Sequence, residues 1–325
     1  MKAIRAHEWG EPDGLVIDEV PLPEPTENQL LIKVQSAAIN FPDILLVAGK
    51  YQFKPPLPFT PGLEVAGPIE KLGSAVGGLK VGQRVLAQMP LGGFAEFAVA
   101  EAGAVQTIPD SMTDDEAASF ALVYQTSYFG LAYRAALQKG ETVLVHSAAG
   151  GVGLAAVQIA RALGAGKIIG TAGSDEKLQV IRDSGADIAL NYQSDDFVEV
   201  VKRETGGRGA DIIYDPVGGE VGERSTKCIA FEGRLLIIGF TSGKFPVFAS
   251  NHILIKNYSV VGLHWGAYRQ HNPKKIEQAW KELFGLYEAG KLKPIIGARY
   301  QMERAADAMK HLASRKAVGK IVLHW

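Results

Sequence analysis

A glycine-rich turn in the middle of the chain constrains the fold more than any other feature. The β-rich segment Thr142–His146 leads directly into a turn at 147–153, and a helical pattern, Val152–Leu163, follows it. Small residues occupy the three spacings of a dinucleotide-binding turn: Ala148, Gly150 and Gly153. A turn of this kind lets a pyrophosphate approach the backbone, and the helix N-terminus offers free N–H groups and partial positive charge. We therefore predict a dinucleotide site here, with an ordinary tight turn as the alternative.

The segments after this turn alternate between strand and helix patterns. In chain order they are a strand Lys167–Thr171, a helix Glu176–Ser184, a strand Ile188–Asn191, a helix Asp195–Thr205, a strand Ile212–Asp215, a helix Val221–Cys228 and a strand Arg234–Ile238. Strands that alternate with ~10-residue helices pair in parallel through right-handed crossovers. The sequence thus predicts an α/β fold with a Rossmann doubly wound parallel sheet over residues 121–265.

The first 120 residues have a different pattern. Strand-like stretches such as Gln29–Ala37 and Gly92–Val99 are separated by proline and glycine, and helical signal is weak. This half is predicted to be a compact, mostly β unit. After Trp265 come an amphipathic segment, a β-like stretch, a helix and a final strand: Pro273–Ala289, Ile295–Tyr300, Arg304–Ser314 and Gly319–Leu323.

Composition excludes several classes of function. Lys and Arg number 34 against 35 Asp and Glu, so the net charge of −1 argues against gripping nucleic acid or an anionic membrane. The single cysteine, Cys228, allows neither an internal disulfide nor a cysteine-rich zinc site. The most apolar region, 143–173, is interrupted by charged residues and is too broken to span a membrane. No apolar stretch resembling a signal peptide follows the first ten residues, and we expect a cytoplasmic protein.

The end of the second strand bears on the form of the dinucleotide. NAD sites commonly place an acid there to bond the ribose 2′-hydroxyl. This chain has Gly173 and Ser174 instead, followed one helical turn later by Lys177, whose ammonium would reach a phosphate. Asp175 and Glu176 are expected to cap the start of the next helix. The pattern favours NADPH, with Lys177 as a solvated helix residue being the alternative.

Further motifs extend the pattern along nearly the whole chain. They are Ala38–Asp43, Pro61–Gly67, Gly185–Asp187 leading to Asn191 and Tyr192, and Gly319–Leu323. With these motifs the chain resembles the medium-chain dehydrogenase/reductase superfamily, and within it the zinc-free, zeta-crystallin-like quinone oxidoreductases. The resemblance implies a GroES-like, mostly β catalytic domain over residues 1–120, completed by 266–325. It also implies an active site in the cleft between that domain and the Rossmann domain.

The resemblance also bears on zinc. Zinc alcohol dehydrogenases of this superfamily place a cysteine within the stretch that is Ile39–Asp43 here, and a histidine at the position of Leu63. This chain has Asn40 and Leu63 there, and leucine cannot bind zinc. The seven histidines show no metal-ligand spacing and are expected at the surface or the edge of the core. We therefore expect no metal, and hydride transfer that relies on positioning an electron-poor acceptor.

Residue roles follow from the same resemblance. Asn40 is expected to bond a cofactor hydroxyl or orient the substrate, and Tyr51 to bond or protonate the acceptor oxygen. The alternatives are a turn-forming Asn40 and a structural Tyr51. The implied cofactor contacts are Asn40, Thr126, Ala149, Gly150, Gly151, Val152, Gly173, Ser174, Lys177, Tyr192, Phe240, Leu263, Trp265 and Arg315, with Arg315 as a second cation beside Lys177. Pro216 departs from the family's small hydroxyl residue, and Phe53, Trp265 and Tyr268 would make the acceptor pocket aromatic.

The function predicted on these grounds is an NADPH-dependent reductase of quinones. A reductase of activated carbon–carbon double bonds, such as enones, haloacrylates or acryloyl thioesters, is the nearest alternative. A non-catalytic NADPH-binding or RNA-binding protein is the alternative from another class, and the charge balance disfavours RNA. The resemblance implies a homodimer, and Phe245–Phe248 and Tyr258–Gly262 are candidate edge-pairing segments, with buried sheet as the alternative.

Overall fold

The computed structural model describes residues 1–325, which form two compact units. The first unit comprises Met1–Leu122 and Pro294–Trp325, and the second comprises Val123–Lys293. No helix is long and apolar enough to cross a bilayer.

The sixteen strands are β1 (Lys2–Ala6), β2 (Leu15–Glu19), β3 (Gln29–Lys33), β4 (Ser36–Ile39), β5 (Glu64–Leu72), β6 (Arg84–Gln88), β7 (Phe97–Glu101), β8 (Val105–Thr107), β9 (Thr142–Val145), β10 (Lys167–Ala172), β11 (Ile188–Asn191), β12 (Ala210–Asp215), β13 (Ile229–Ile237), β14 (Ser259–Gly262), β15 (Ile296–Gln301) and β16 (Lys320–His324). The eleven α-helices are α1 (Phe41–Val47), α2 (Asp114–Ala118), α3 (Ala121–Tyr128), α4 (Gly151–Ala162), α5 (Leu178–Asp183), α6 (Phe197–Glu204), α7 (Gly219–Ser225), α8 (Ser250–Lys256), α9 (Tyr268–His271), α10 (Pro273–Glu288) and α11 (Ala305–Ala313). A π-helical segment, Phe129–Arg134, follows α3.

A six-stranded parallel sheet forms the centre of the second unit. Its strand order is β11-β10-β9-β12-β13-β14, the order of a doubly wound nucleotide-binding sheet. All four residues of β9 are buried, as expected for a strand covered on both faces. The order reverses at β9, so the loop after β9 lies at the carboxyl edge where such sheets bind ligands. The predicted Rossmann sheet is confirmed.

The second unit extends further along the chain than the sequence suggested. Residues 266–293, which were expected to complete the first unit, belong to the second. Three side-chain contacts hold them there: the Tyr128 hydroxyl donates to Glu282, the Lys275 ammonium lies 5.0 Å from the Tyr133 ring centroid, and Gln158 Nε2 donates to the Lys293 carbonyl at 2.9 Å. The chain returns to the first unit only at Pro294, because α10 packs its apolar face within the second unit.

A mostly antiparallel sheet forms the first unit. Its order is β15-β16-β4-β5-β3-β7, with β6 pairing with β5 and β8. Strand β16 pairs in parallel with β15 and antiparallel with β4, where Ile321 lies opposite Ile39. Four of the five β16 residues are buried, so a segment from the end of the chain forms an interior strand of this sheet, between β15 and β4. The expected GroES-like domain is confirmed.

Candidate functional site

The turn after β9 and the start of α4 form the first part of the candidate site. A Cβ atom on Gly153 would lie 2.2 Å from the Ser147 carbonyl oxygen, so only glycine allows the helix to begin this close to the strand. Gly150 occupies the N-cap position of α4, and no side chain caps the helix. The N–H groups of its first turn are therefore available to an anionic ligand. The predicted contacts Ala149, Gly150, Gly151 and Val152 all lie on this turn or in the first turn of α4.

The residues that are predicted to distinguish NADPH from NADH lie together at the carboxyl end of β10. A Cβ on Gly173 would be 2.6 Å from the Tyr192 hydroxyl oxygen, so the ring lies directly against this glycine. The Tyr192 side chain is 45% exposed and thus accessible to a ligand. Lys177 follows within one turn, its N–H donating to the Ser174 carbonyl at 3.2 Å, and partial burial lowers its pKa.

The sequence interpretation of this segment is right that Asp175 and Glu176 lie in the first turn of a helix, and wrong that they cap it. Asp175 and Glu176 were expected to cap a helix start. Instead Ser174 holds the N-cap position without a side-chain bond, and Asp175 Oδ1 accepts from Asn191 Nδ2 at 2.9 Å. The Asp175 carboxylate therefore joins the ends of β10 and β11, because Asn191 is the last residue of β11.

The remaining predicted contacts in the second unit follow the ends of β13 and β14, at the carboxyl edge of the same sheet. The Phe240 ring packs edge-on against Phe245, with centroids 4.7 Å apart. The Leu263 N–H donates to the Ile237 carbonyl at 3.1 Å, which continues the pairing beyond β14. Trp265 is buried, and the Arg269 guanidinium lies 5.2 Å from its ring centroid.

Thr126 lies on α3, which is tied to the glycine turn through its neighbour. Ser127 Oγ donates to the Val152 carbonyl at 2.9 Å and lies 2.9 Å from the Tyr214 hydroxyl. Close to these contacts, Pro216 lacks an N–H. Asp215 Oδ1 instead accepts from the N–H groups of Val217 and Gly218, at 2.8 and 3.0 Å, and so shapes the turn after β12.

His146 is a residue of this region that the sequence interpretation missed. It follows β9 directly and is fully buried, not at the core edge as expected. Its Nδ1 lies 3.2 Å from Thr171 Oγ1 and its Nε2 lies 2.9 Å from Ser225 Oγ. Burial lowers its pKa to about 3, so the ring is neutral at neutral pH. His146, the residue directly before the glycine turn, thus links the end of β9 to β10 and α7.

Asn40 lies in the first unit, at the N-cap position of α1, and is only 4% exposed. Its backbone N–H donates to Asp43 Oδ2 at 2.8 Å, as in a helix-starting turn. Its side-chain Nδ2 donates to Glu64 Oε1 at 2.8 Å and to the Ala38 carbonyl at 3.3 Å. Its Oδ1 accepts from Lys320 Nζ at 2.5 Å. The Asn40 amide is therefore held by residues from three strands.

Lys320 and Glu64 are the buried charges that surround Asn40, and the sequence interpretation assigned neither of them a role. The Lys320 side chain is 5% exposed and that of Glu64 is fully buried. Lys320 Nζ donates to Glu64 Oε1 at 2.9 Å and to the Ile39 carbonyl at 3.0 Å, in addition to Asn40. Glu64 Oε2 accepts from the Leu122 N–H at 2.9 Å. Both residues lie within motifs that the sequence singled out, so the signal was present.

Asp43 and Tyr51 complete the polar groups of this region. Asp43 is fully buried, and its Oδ1 accepts from the Gly62 N–H at 3.2 Å. Burial raises the Asp43 pKa to about 7 against the lowering effect of its backbone bonds. Burial also raises the pKa of Tyr51, with a further contribution from the Asp43 carboxylate. At neutral pH Tyr51 therefore carries its hydroxyl proton.

The other two residues predicted for this unit are exposed to solvent. Arg315 is exposed in the turn after α11, in the left-handed conformation, with φ of 60°. Phe53 is half exposed. No group of three or more His, Cys, Asp or Glu side chains is arranged to hold a metal ion.

A parallel nucleotide-binding sheet with a glycine turn, joined to a GroES-like unit, defines a medium-chain dehydrogenase/reductase. Residues 151–285 match the family model described as zinc-binding dehydrogenase, and residues 26–110 match the alcohol dehydrogenase GroES-like domain. The name of the first model implies zinc ligands. Leu63 has no atom that could bind zinc, and the side-chain amide of Asn40 is hydrogen-bonded to Lys320 and Glu64.

Comparison with individual proteins identifies a smaller family within this superfamily. The chain is 39% identical to quinone oxidoreductase-like protein 2 homolog of Nematostella vectensis, over 99% of this chain and 88% of that protein. The structure of Escherichia coli quinone oxidoreductase complexed with NADPH matches with a TM-score of 0.92 and 32% identity, over 100% of both chains. CurK enoyl reductase matches with a TM-score of 0.90 and 29% identity, over 99% of this chain and 98% of that one. This chain belongs to the zinc-free quinone oxidoreductase family of the medium-chain dehydrogenase/reductase superfamily.

Proposed function

We propose that this protein is an NADPH-dependent reductase of quinones that transfers hydride without a metal. The observation that carries the proposal is the uncapped, glycine-lined start of α4 at the carboxyl edge of the parallel sheet. Quinone oxidoreductases are among its relatives along nearly the whole chain, and one related structure contains NADPH. NADPH, when bound, supplies the hydride.

The residues of the second unit fit this cofactor. The N–H groups at Gly151 and Val152 suit the pyrophosphate, because they are aligned with the helix dipole and carry no side-chain cap. Gly173 lets the Tyr192 ring lie directly against the backbone, where a Cβ atom would collide with the Tyr192 hydroxyl. Ser174 and Lys177 would contact the 2′-phosphate, the ammonium acting as a point charge.

The residues of the first unit suit the acceptor. A quinone accepts hydride without strong electrophilic help, so a neutral hydrogen-bond donor at its oxygen is sufficient. Tyr51 retains its proton because burial and Asp43 both raise its pKa. We assign the Tyr51 hydroxyl as the donor to the acceptor oxygen, and Asn40 as a contact to the cofactor.

Reduction of an activated alkene is the second candidate, favoured by the likeness to CurK enoyl reductase. The decisive experiment offers a panel of quinones and enones to the enzyme with NADPH and NADH, in the presence and absence of a chelator. The proposal expects the highest kcat/KM with a quinone and NADPH, unchanged by chelation. A higher kcat/KM with enones would replace the first candidate with the second, and loss of turnover on chelation would reject the metal-free reaction.

The cofactor preference has its own test. Lys177→Ala should lower kcat/KM for NADPH about tenfold, as expected for one lost charge-assisted contact, and leave NADH unchanged. Lys202→Ala, an exposed lysine on α6, serves as the matched control. Equal losses with both cofactors would reject the assignment of Lys177.

We also propose that the protein is a homodimer joined at the edge of the second unit's sheet. Strand β14 is the last strand of the sheet, and apart from the Gly262 carbonyl, which accepts from Arg134 Nε at 3.1 Å, its outer edge is where a second strand would pair. Strongly exposed apolar side chains occur in the same unit: Phe245, Val247, Leu254 and Ile255. Light scattering should give twice the chain mass, and a Val260→Pro variant, which removes an N–H from the outer side of β14, should give the monomer mass.

A further inference from the structure

The two buried charges around Asn40 determine which way its amide is turned. An ammonium only donates hydrogen bonds and a carboxylate only accepts them. The atom 2.5 Å from Lys320 Nζ must therefore be the Asn40 oxygen, and the atom 2.8 Å from Glu64 Oε1 must be its nitrogen. The Ala38 carbonyl, also an acceptor, lies on the nitrogen side at 3.3 Å. Turning the amide over would oppose oxygen to carboxylate and nitrogen to ammonium.

This orientation restricts what Asn40 can offer to a ligand. Both hydrogens of Nδ2 are engaged, one by Glu64 and one by Ala38. The backbone N–H is engaged by Asp43. The remaining capacity is the second lone pair of Oδ1. Asn40 can therefore accept a hydrogen bond from a ligand hydroxyl or amide, but it cannot donate one to a substrate oxygen.

The stability of the fold does not explain the hydrogen bonds of the Lys320–Glu64 ion pair. A buried ion pair commonly contributes no more stability than apolar residues of the same size, because both charges must be removed from water. Here Lys320 Nζ donates three hydrogen bonds, to Glu64, Asn40 and the Ile39 carbonyl. The arrangement specifies a geometry at Asn40, because Lys320 and Glu64 each hydrogen-bond its side-chain amide directly.

We propose that Lys320 is a positioning residue which, together with Glu64, holds Asn40 as an acceptor for a hydroxyl group of the bound cofactor. Neither charged residue touches the cofactor; both act through Asn40. This inference rests on the proposed function, because it takes NADPH as the ligand. It excludes the role in which Asn40 donates to the substrate.

A double-mutant cycle on NADPH binding tests this coupling. The dissociation constant of NADPH is measured by fluorescence titration, without turnover, for the wild type, Asn40→Ala, Lys320→Met and the double variant. Asn40→Ala should weaken binding about tenfold, the loss of one good hydrogen bond, and Lys320→Met by a similar factor. The double variant should bind no more weakly than Asn40→Ala alone, because Lys320 has no other route to the cofactor.

Three controls separate the outcomes. Lys167→Met removes a part-buried lysine paired with Glu204 in the second unit and should leave binding unchanged. If Lys320→Met does not fold, Glu64→Gln combined with Lys320→Met removes both charges together and is used in its place. Circular dichroism of each variant establishes that it is folded.

The possible results are distinct. Multiplicative effects, about a hundredfold in the double variant, would mean that Lys320 acts independently of Asn40 and would overturn the inference. So would unchanged binding by either single variant. A wild type that does not bind NADPH would instead reject the proposed function.

Discussion

Two buried polar clusters, one in each unit, differ in the charge of their members. The first unit encloses opposite charges, with Lys320 and Glu64 at most 5% exposed and hydrogen-bonded to each other. The second unit encloses a neutral network, in which His146 lies between the hydroxyls of Thr171 and Ser225. A charged network loses much when one partner is removed, whereas a neutral one loses a single hydrogen bond. The units should therefore respond differently to the same kind of perturbation.

The largest effect is expected from removing one of the buried charges. Glu64→Ala leaves the Lys320 ammonium without its carboxylate and the Leu122 N–H without its acceptor. The free energy of unfolding should fall by about 3–5 kcal/mol, the cost of an uncompensated buried charge. Urea unfolding followed by tryptophan fluorescence measures this loss. A loss below that of a neutral hydrogen bond would mean that the two units do not differ.

The pH dependence of stability should divide between the units. In the first, Asp43 has a pKa of about 7 in the folded state and about 3.9 when unfolded, so its contribution is lost as pH rises from about 4 through about 7. In the second, His146 has a folded pKa of about 3 against about 6.5 unfolded, so its contribution is lost as pH falls through that range. Between about pH 8 and about pH 5 the two changes are each about 2–3 kcal/mol and opposite in sign.

Variants separate these two contributions. Asp43→Asn should become less stable by about 2 kcal/mol on going from about pH 8 to about pH 5, and His146→Gln should become more stable by a similar amount. The wild type should change less than either. Urea unfolding at the two pH values measures all three. If Asp43→Asn kept the pH dependence of the wild type, the buried carboxyl would not be the titrating group.

Removing one hydroxyl from the His146 network should lower the free energy of unfolding less than removing a buried charge. Ser225→Ala removes the partner of His146 Nε2 and leaves that nitrogen buried. The expected loss is about 1–2 kcal/mol, that of one unsatisfied neutral group. Thermal or urea unfolding serves as the measurement, with Thr226→Ala, next along the chain, as the control, because the Thr226 hydroxyl donates to the Glu223 carbonyl at 2.7 Å. A loss as large as that of Glu64→Ala would remove the contrast between the units.

The smallest effect is expected at an exposed ion pair. Lys202 lies 3.4 Å from Glu199 on the surface of α6. Lys202→Ala should change the free energy of unfolding by about 0.5 kcal/mol or less, because solvent screens the pair. This variant therefore sets the baseline in the same unfolding assay. A change above about 1 kcal/mol, the upper end of what exposed pairs contribute, would show that charge alone does not distinguish the buried pair.

The sequence predicts the second unit almost element by element. Its strands are continuous apolar runs and its helices have the helical period, so local pattern and tertiary role coincide. The departures arise where distant pairing decides. Strand β13 begins at Ile229, before the predicted Arg234, because a register shift lets Ile229 pair with Ala210. The assignment of residues 266–293 failed for a related reason, since an amphipathic helix does not indicate which unit it packs against.

The centre of the first unit could be predicted only in part. Asn40 was identified, yet its partners Glu64 and Lys320 were not, although both lie in recognised motifs. Lysine and glutamate are rarely buried, so a single sequence assigns them to the surface. Their burial follows from the register of β16 with β4, which brings Lys320 beside residues 280 and 256 positions earlier in the chain. Local pattern carries no information about that register.

The position of β16 in the first unit has a consequence for how the protein is made. The second unit is one continuous segment and has all its strands once the ribosome has passed Lys293. The first unit begins earlier in the chain but includes β15 and β16. Until Lys320 is added, the Glu64 carboxylate lacks the ammonium that pairs with it in the folded unit. During synthesis every strand of the second unit is therefore added before the last two strands of the first, and the buried Glu64 carboxylate gains its partner only with β16.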